Sequence, residues 1–363
     1  MTKIGIFIPT GSRGWMWSTT TPATYPTYDL NRAIVKRAEH YGFDFALSMI
    51  KFRGFEGPSG FWTHNLESFT LTAALAAETS RIQLIASVAM LLLPPAYVAS
   101  MVSTIDSIAP GRIGINMVTG WLPKEYEQMG VKLTPEHFGR RYERAAEYVT
   151  ILKELWETGR SDFKGEYYQY DDCRLSPRPS EPVTIVGAGQ SDKGLEFVAK
   201  YGHYNFVAPT GTNDTSSGQE VVNRVAAAAA KHGRQTSALQ LLMVIADRTD
   251  ELAWGKWEHY KQGVDLEADR WQAAQAGIDK SAAAGSHSTA GMMTRQMDTP
   301  LPNRMLQLIG SYENVARMLD EVAATPGSGG IMLCFDDFIA GIEQFGEHIQ
   351  PLMRSRAHIR TNA

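Results

Sequence analysis

The chain has 363 residues, 44% hydrophobic and 20% charged, a composition that supports a large buried core and excludes a disordered protein. The formal net charge of −4 at pH 7 gives no electrostatic basis for binding nucleic acid or an anionic membrane surface. Two cysteines, Cys173 and Cys334, are too few for a disulfide framework or a zinc cluster. Since the sequence also lacks a signal-peptide pattern and a long apolar run, we expect a cytoplasmic protein.

Short apolar runs alternate with amphipathic segments along the chain. In chain order the runs are KIGIFIP, FDFALSM, RIQLIAS, RIGINMV, VTIVGA, YNFVA, LQLLMVIAD and GIMLCFDD. The segments between them, such as DLNRAIVKRAEHYG and FGRRYERAAEYVTILKELWETG, predict helices. Apolar strands separated by helices are typical of a parallel sheet covered on both faces. Eight such units favour an α/β fold of the (β/α)8 TIM-barrel type over an open doubly wound sheet, which would usually carry GxGxxG after its first strand.

Two segments depart from this alternation. Residues 163–174, FKGEYYQYDDCR, alternate aromatic and polar side chains and predict a small hairpin inserted before the fifth strand. Residues 276–300 are rich in Ala, Ser, Gly and Thr, which predicts either a linker or an active-site lid. With no tandem repeat and no clear domain boundary, we expect residues 1–363 to form a single barrel domain with these two insertions.

Active sites of such barrels form at the C-terminal ends of the strands. The residues that follow or end the predicted strands are Thr10, Gly11, Ser12, Ser48, Met49, Ile50, Lys51, Ser87, Asn116, Thr119, Gly120, Trp121, Asp336 and Asp337, together with the GAGQSDKG loop after the fifth strand.

Asn116 lies in the otherwise apolar run RIGINMV, just before the corner Thr119-Gly120-Trp121. An unpaired amide in a dry strand costs about 1–3 kcal/mol, so either core partners or a ligand must satisfy it. Its position near the mouth of the barrel, before a glycine corner and an aromatic residue, favours contact with a ligand.

The GAGQSDKG loop, residues 187–194, joins a predicted strand to a predicted helix. Backbone N–H groups at a helix start suit a phosphate, although the loop is neither a Walker A nor a GxGxxG motif and an ordinary helix cap would look the same. Arg140 and Arg141, followed by Tyr142, open the long helix before it; such arginines either clamp a phosphate or lie in solvent.

The nine histidines form neither HExxH nor HxH, so the sequence does not support a metal site. The residues alone predict a phosphate-bearing cofactor in a barrel mouth.

The motif GRIGINMVTGW resembles the strand-and-corner motif of the luciferase-like flavin monooxygenases, two-component enzymes whose reduced flavin comes from a separate reductase. Further segments resemble, in order along nearly the whole chain, the pyrimidine monooxygenases of the Rut uracil-degradation pathway; these are KRAEHYGFDFALSMIKFRGF, HNLESFTL, VTGWLPKEYEQMG, SDFKGEYYQYDDCR, GAGQSD, VARMLDEVA and FDDFIAGIEQFGEHIQPLM. The resemblance is weakest at residues 206–219 and 262–308.

This resemblance implies a luciferase-like TIM barrel that uses FMN, in its reduced form FMNH2, and O2 to open the ring of uracil or thymine to a ureidoacrylate. It implies a separate NAD(P)H-dependent flavin reductase as partner, in keeping with the absence of an NAD(P)H fingerprint in the sequence, and leaves homo-oligomerisation open.

The resemblance also implies roles for individual residues. Asn116 would hold the edge of the flavin ring and help to seat O2, since a fixed amide can donate to developing negative charge. Ser87, where the pyrimidine enzymes have threonine, keeps a hydroxyl that would donate a second hydrogen bond. Trp121 and Leu47 would shape the oxygen pocket with it. The flavin-binding residues would be Ile50, Lys51 and Glu125 beside the ring, and Arg141, Tyr142 and Ser191 at the ribityl phosphate.

Other functions stay open. The same chemistry on another small cyclic amide, imide or N-heterocycle, halogenated ones included, is one alternative, because the loop APTGTNDTSSGQE, residues 208–220, and the segment 276–300 differ most from the family pattern and such loops usually choose the substrate. A barrel that binds flavin without turnover is another. A phosphosugar-type barrel enzyme without flavin is disfavoured, since no convincing Lys or Glu base follows a strand.

Overall fold

The computed structural model describes residues 2–280, 288–294 and 300–359. Its strands are β1 (Lys3–Ile8), β2 (Phe45–Ser48), β3 (Gln83–Ala89), β4 (Ile113–Val118), β5 (Arg160–Ser161), β6 (Cys173–Arg174), β7 (Thr184–Gly187), β8 (Tyr204–Val207), β9 (Ser237–Asp247), β10 (Leu306–Ser311) and β11 (Ser328–Phe335).

Eight of these strands, as far as the chain is described, form a closed parallel barrel. Their order around the barrel is β9, β11, β1, β2, β3, β4, β7 and β8, and the pairing of β8 with β9 closes it. The strands are almost entirely buried because they carry apolar side chains on both faces, one toward the barrel interior and one toward the helices. The predicted (β/α)8 TIM barrel is therefore confirmed.

Helices cover the outside of the barrel and connect its strands. They are α1 (Tyr28–His40), α2 (Ser68–Glu78), α3 (Pro95–Ile108), α4 (Pro123–Glu127), α5 (Pro135–Thr158), α6 (Asp192–Tyr201), α7 (Gln219–Lys231), α8 (Asp250–Gln262), α9 (Leu266–Ala276), α10 (Thr289–Thr294), α11 (Tyr312–Ala323) and α12 (Phe338–Gln344). Several begin at a side chain that accepts a hydrogen bond from the first turn, as Thr134 does for α5 and Asp265 for α9. None of the helices in the described part of the chain has the length and apolar character that crossing a membrane requires.

Strand β10 is missing from the eight runs of the sequence analysis. It pairs with the second half of β9, from Leu306 opposite Leu242 to Ser311 opposite Asp247, whereas the first half of β9 pairs with β8. The 11-residue β9 is thus long enough to have two successive neighbours on one side. The run LQLIGS is short and includes Gln and Gly, so its strand character depends on that distant partner rather than on its own pattern.

The first of the two departures from the alternation is a hairpin, and the second is described only in part. Strands β5 and β6 pair antiparallel, and a further bridge joins Lys164 to Gln169, so a hairpin spans the segment 163–174. The Glu147 carboxylate on α5 binds backbone N–H groups at the hairpin's tip. Of the proposed lid at 276–300, residues 281–287 and 295–299 lie outside the described residues; the described part includes α10.

Candidate active site

A cavity of about 230 Å³ lies at the C-terminal ends of the barrel strands. Since about 10–15 Å³ is enough to hold one water molecule, this volume is a binding cavity rather than a packing defect. Nine of the ten site residues named from the sequence line it: Leu47, Ile50, Lys51, Ser87, Asn116, Trp121, Arg141, Tyr142 and Ser191. The tenth, Glu125, lies beside the cavity and contacts Lys51.

Asn116 is held by a short hydrogen-bond chain across β4, β3 and β2. Its Nδ2 donates to Ser87 Oγ at 2.9 Å, and Ser87 Oγ donates to the backbone carbonyl of Ser48 at 2.7 Å. Ser87 and Asn116 are direct partners in the ladder between β3 and β4, which brings their side chains to one place. Asn116 Oδ1 is buried and accepts no hydrogen bond from the described residues.

The direction of these two hydrogen bonds corrects one expectation. The sequence analysis assigned the Ser87 hydroxyl as a donor toward the pocket, but its single proton points to the Ser48 carbonyl and Ser87 therefore accepts from Asn116. The groups left for a ligand are Asn116 Oδ1, an acceptor, and the second N–H of the same amide. Ser87 positions Asn116.

Lys51 and Glu125 form a buried ion pair at the edge of the cavity. Lys51 Nζ is 3.2 Å from Glu125 Oε2, and the side chains are only 3% and 6% exposed. The second carboxylate oxygen of Glu125 accepts from the Phe52 N–H at 2.8 Å. Burial lowers the pKa of Lys51, and the facing carboxylate opposes that shift. Lys51 also lies 5.1 Å from the ring centre of Trp62 and 5.3 Å from that of Trp121, within the range of cation–π attraction.

The two arginines at the start of α5 differ in their surroundings. Arg140 is on the surface, where it pairs with Glu143 and Glu166. Arg141 is buried, lines the cavity, and pairs with Asp279 at 3.0 Å. Its Nε makes no hydrogen bond with the described residues, so part of the guanidinium is available to an anionic ligand. Asp279 was not identified from the sequence.

The loop from β7 to α6 forms a close-fitting corner of the cavity. Ser191 caps α6, with its Oγ accepting from the Gly194 N–H at 3.3 Å. A Cβ added at Gly189 would come within 2.6 Å of Gly194 Cα and 2.7 Å of the Tyr142 hydroxyl oxygen. Only glycine therefore fits at residue 189 in this arrangement. Gly189, Gln190 and Ser191 of this loop and Arg141 of α5 border the same cavity, an arrangement that suits a phosphate.

Aromatic side chains form much of the remaining wall and were not named from the sequence. Phe7 stacks on Trp15 with ring centres 3.8 Å apart, and Phe206 packs edge-on against Phe7 at 5.7 Å. Trp62 packs edge-on against Trp15 at 5.4 Å. The clusters of aromatic residues after β1 and before α2, WMW and FW, were the available signal. Such flat apolar surfaces fit planar rings and exclude water.

A third set of lining residues comes from the connection between β9 and β10. Gln272 on α9, Met292 on α10 and Arg304 border the cavity. Arg304 pairs with Asp269 at 2.8 Å and donates to the Met292 carbonyl at 3.3 Å. Sequence reasoning missed these residues because they do not follow a predicted strand.

The site as a whole fits a planar cofactor with an anionic tail. It offers aromatic walls for a ring system, an Asn116 carbonyl oxygen that no described residue binds, and a corner formed by Arg141 and Ser191. A profile of the luciferase-like monooxygenases matches residues 2–328. The chain belongs to the luciferase-like monooxygenase family, and is accordingly a flavin-dependent monooxygenase with O2 as co-substrate.

Within this family the chain is similar to enzymes named pyrimidine monooxygenase RutA. It is 64% identical to that of Allorhizobium ampelinum over 358 residues, which are 98% of this chain and 97% of the relative. It is 55% identical to that of Enterobacter cloacae over 360 residues, 98% of each chain. The resemblance to the pyrimidine monooxygenases inferred from the motifs is confirmed.

Solved structures support the same fold. A long-chain alkane monooxygenase superposes with a TM-score of 0.81 at 19% identity, covering 99% of this chain and 92% of that one. The EDTA monooxygenase of a Chelativorans species superposes with a TM-score of 0.79 at 17% identity, covering 99% of this chain and 95% of that one. At such low identity these likenesses bear on the fold alone.

Proposed function

We propose that this enzyme uses FMN, in its reduced form, and O2 to open the ring of uracil or thymine to a ureidoacrylate. The observation that carries the proposal is the buried Asn116 carboxamide at the mouth of an aromatic cavity, fixed through Ser87 and with an oxygen that accepts no hydrogen bond from the part of the chain that the structure describes. The substrate follows from the high identity to pyrimidine monooxygenases over nearly the whole chain.

In this proposal each residue of the cavity has a role that follows from its position. Arg141, Tyr142 and Ser191 bind the phosphate of FMN, while Ile50 and Lys51 line its ring system. Asn116 accepts a hydrogen bond from a ring N–H through Oδ1 and keeps one N–H to donate. Because Ser87 holds the amide in place, these bonds form without reorganisation. Glu125 orients Lys51 beside the ring through their buried ion pair.

Reduced flavin, when bound, supplies the electrons that activate O2. The protein's task is then to keep water and stray protons away from the reacting atoms, which the wall of Phe7, Trp15, Trp62 and Phe206 performs. Leu47 and Trp121 limit the space beside Asn116 in which O2 can lie. A separate NAD(P)H-dependent reductase supplies the reduced flavin.

The test is product analysis with the purified protein, chemically reduced FMN, O2 and uracil or thymine. We expect the ring-opened ureidoacrylate, at a rate that depends on the protein and without NADH. The same assay on a panel of cyclic amides, imides and halogenated N-heterocycles checks the substrate. Product from another heterocycle, but none from either pyrimidine, would contradict the proposed substrate. Binding of oxidised FMN with no product from any compound would instead favour a flavin-storing barrel.

A further inference from the structure

Helix α9 carries two glutamines on its buried face. That face consists of Ala268, Gln272, Gln275 and Ala276, the spacing expected for one side of a helix. Gln275 has a structural explanation, since its Oε1 accepts from the Lys124 N–H at 3.1 Å and joins α9 to the start of α4. Gln272 has none: it is 2% exposed, and its buried Oε1 accepts no hydrogen bond from the described residues.

Gln272 lines the same cavity as Asn116. A buried amide without a partner costs about 1–3 kcal/mol, and a helix could relieve that cost by shifting or rotating. Helix α9 is held against such movement at several points. Asp265 caps it and also accepts from the Ser59 N–H at 2.8 Å, and the ring of Trp271 packs 5.0 Å from that of Phe55. The fold therefore keeps the Gln272 carboxamide in the cavity wall.

We propose that Gln272 binds the substrate through the N–H and C=O groups of a cyclic amide, and so determines specificity for such rings; this rests on the function proposed above. A primary carboxamide offers an acceptor oxygen and a donor nitrogen side by side. The edge of a pyrimidinedione offers the complementary pair, a ring N–H next to a carbonyl. Two parallel hydrogen bonds then satisfy Gln272 Oε1 and select rings that carry this edge over apolar rings of the same size.

The position of Gln272 favours the substrate over the flavin. The residues assigned to FMN come from the ends of β2 and β4, from α4 and α5, and from the start of α6. Gln272 comes from the connection between β9 and β10, together with Met292 and Arg304. Arg304 is already paired with Asp269, whereas Gln272 Oε1 is unpartnered among the described residues.

The test uses Gln272→Met, which keeps the length of the side chain and removes both hydrogen-bonding groups. Equilibrium binding of uracil, 1-methyluracil and 3-methyluracil to the FMN-loaded protein is measured by calorimetry. We expect Gln272→Met to bind uracil at least about tenfold more weakly, the effect of two neutral hydrogen bonds. The wild type should discriminate against at least one methylated ring, and the variant should lose that discrimination.

Two further measurements separate this role from others. FMN affinity, from quenching of flavin fluorescence, should change less than twofold in Gln272→Met. The Tm of the protein without ligand should be unchanged or higher, because the substitution removes a buried carbonyl oxygen that accepts no hydrogen bond from the described residues. Gln262→Met, on the exposed end of α8, is the matched control and should behave as the wild type in every assay. A fall in FMN affinity as large as the fall in uracil affinity, or a lower Tm, would overturn the proposal.

The outcomes for Gln272 and for the proposed function can be told apart. If Gln272→Met binds uracil like the wild type while the wild type still forms ureidoacrylate, only the role of Gln272 is overturned. If the wild type does not open uracil or thymine, the proposed substrate fails. In that case the wild type and Gln272→Met are compared with any cyclic amide or imide that the wild type binds. If the wild type binds no such ring, the role of Gln272 is overturned as well.

Discussion

Single buried polar groups define this active site more clearly than charges do. Asn116 and Gln272 each keep a buried carbonyl oxygen without a hydrogen bond from the described residues, while their neighbours Ser87 and Gln275 are satisfied. Native proteins pair nearly all buried polar atoms, and because both residues line the cavity, a bound ligand can supply the missing partners. The cost of leaving them unpaired is the expected sign of a site built for binding rather than for stability.

Replacing Asn116 tests its role in turnover. In Asn116→Ala the amide that contacts the reacting ring is lost, and we expect kcat to fall by about 10²–10³, as for the loss of one preorganised hydrogen-bond donor. FMN affinity should fall much less, because Arg141 and the start of α6 still bind the phosphate. Product formation and flavin fluorescence titration measure the two effects.

Ser87→Thr serves as the control, because it keeps the hydroxyl that accepts from Asn116 and adds only a methyl group. It should retain most of the activity. Equal losses of activity and of FMN affinity in Asn116→Ala would contradict the assigned role and leave Asn116 a structural amide.

Replacing Arg141 tests the phosphate site. Arg141→Ala alone removes the charged partner that lies 3.0 Å from the buried Asp279 carboxylate, and would therefore lower stability as well as FMN affinity. We therefore pair it with Asp279→Asn. In this double variant FMN affinity should fall far more than riboflavin affinity, because only FMN carries the phosphate; both are measured by fluorescence titration.

The neighbouring Arg140→Ala is the matched control for this variant, since Arg140 pairs with Glu143 and Glu166 on the surface. It should bind both flavins like the wild type. Similar weakening for FMN and riboflavin in the Arg141→Ala/Asp279→Asn variant would remove Arg141 from the phosphate site.

At the scale of elements, the corner between β7 and α6 has the tightest backbone packing in the site. Gly189→Ala would push both Gly194 and Tyr142 away from residue 189, since the new Cβ would lie 2.6 Å from Gly194 Cα and 2.7 Å from the Tyr142 hydroxyl oxygen. We expect both lower FMN affinity and a lower free energy of unfolding, measured by fluorescence titration and by urea denaturation.

Gly255→Ala is the matched control for Gly189→Ala. Gly255 lies within α8, and a Cβ there would meet nothing within 4 Å, so the substitution should stabilise the protein by about 0.5–1 kcal/mol. Unchanged FMN affinity in Gly189→Ala would show that the tight corner does not shape the phosphate site.

At the scale of the whole molecule, Asp336 links the end of β11 to α8 and makes stability depend on pH. The Tyr260 hydroxyl donates to Asp336 Oδ2 at 2.9 Å, and burial raises the pKa of Asp336. Between the unfolded pKa of about 3.9 and the raised folded pKa, the folded chain binds more protons than the unfolded chain. The contribution of Asp336 to the free energy of unfolding is therefore complete below about pH 3.9 and is lost as the pH rises through the folded pKa.

Asp336→Asn removes this dependence and keeps an acceptor for Tyr260. We expect the free energy of unfolding of the variant, relative to the wild type, to increase from about pH 3.9 upward. Urea denaturation over a series of pH values measures the difference. A difference that stays constant with pH would contradict the raised pKa as its cause.

Much of the fold and part of the site could be predicted from local pattern. The apolar runs from KIGIFIP to GIMLCFDD are confirmed as the eight barrel strands, because each run is apolar enough to be recognised without its neighbours. The cavity residues on β2, β3 and β4 were found because strand ends meet at one rim in a parallel barrel. Strand β10 was missed because its only strong signal is its pairing with the extra length of β9.

The amino-acid sequence by itself determined the (β/α)8 barrel and the rim that carries the site, since periodicity and strand ends are properties of short segments. Nine residues of the cavity wall were also named from the sequence, but their roles came from the family resemblance, and Leu47 was named from that resemblance alone. Only the tertiary structure decided that Ser87 donates to Ser48, that Arg141 pairs with Asp279, and that Gln272 borders the cavity. These contacts join residues about 40 to 140 positions apart, or depend on which side of a helix is buried. Packing across the closed barrel sets them, and no local pattern encodes that packing.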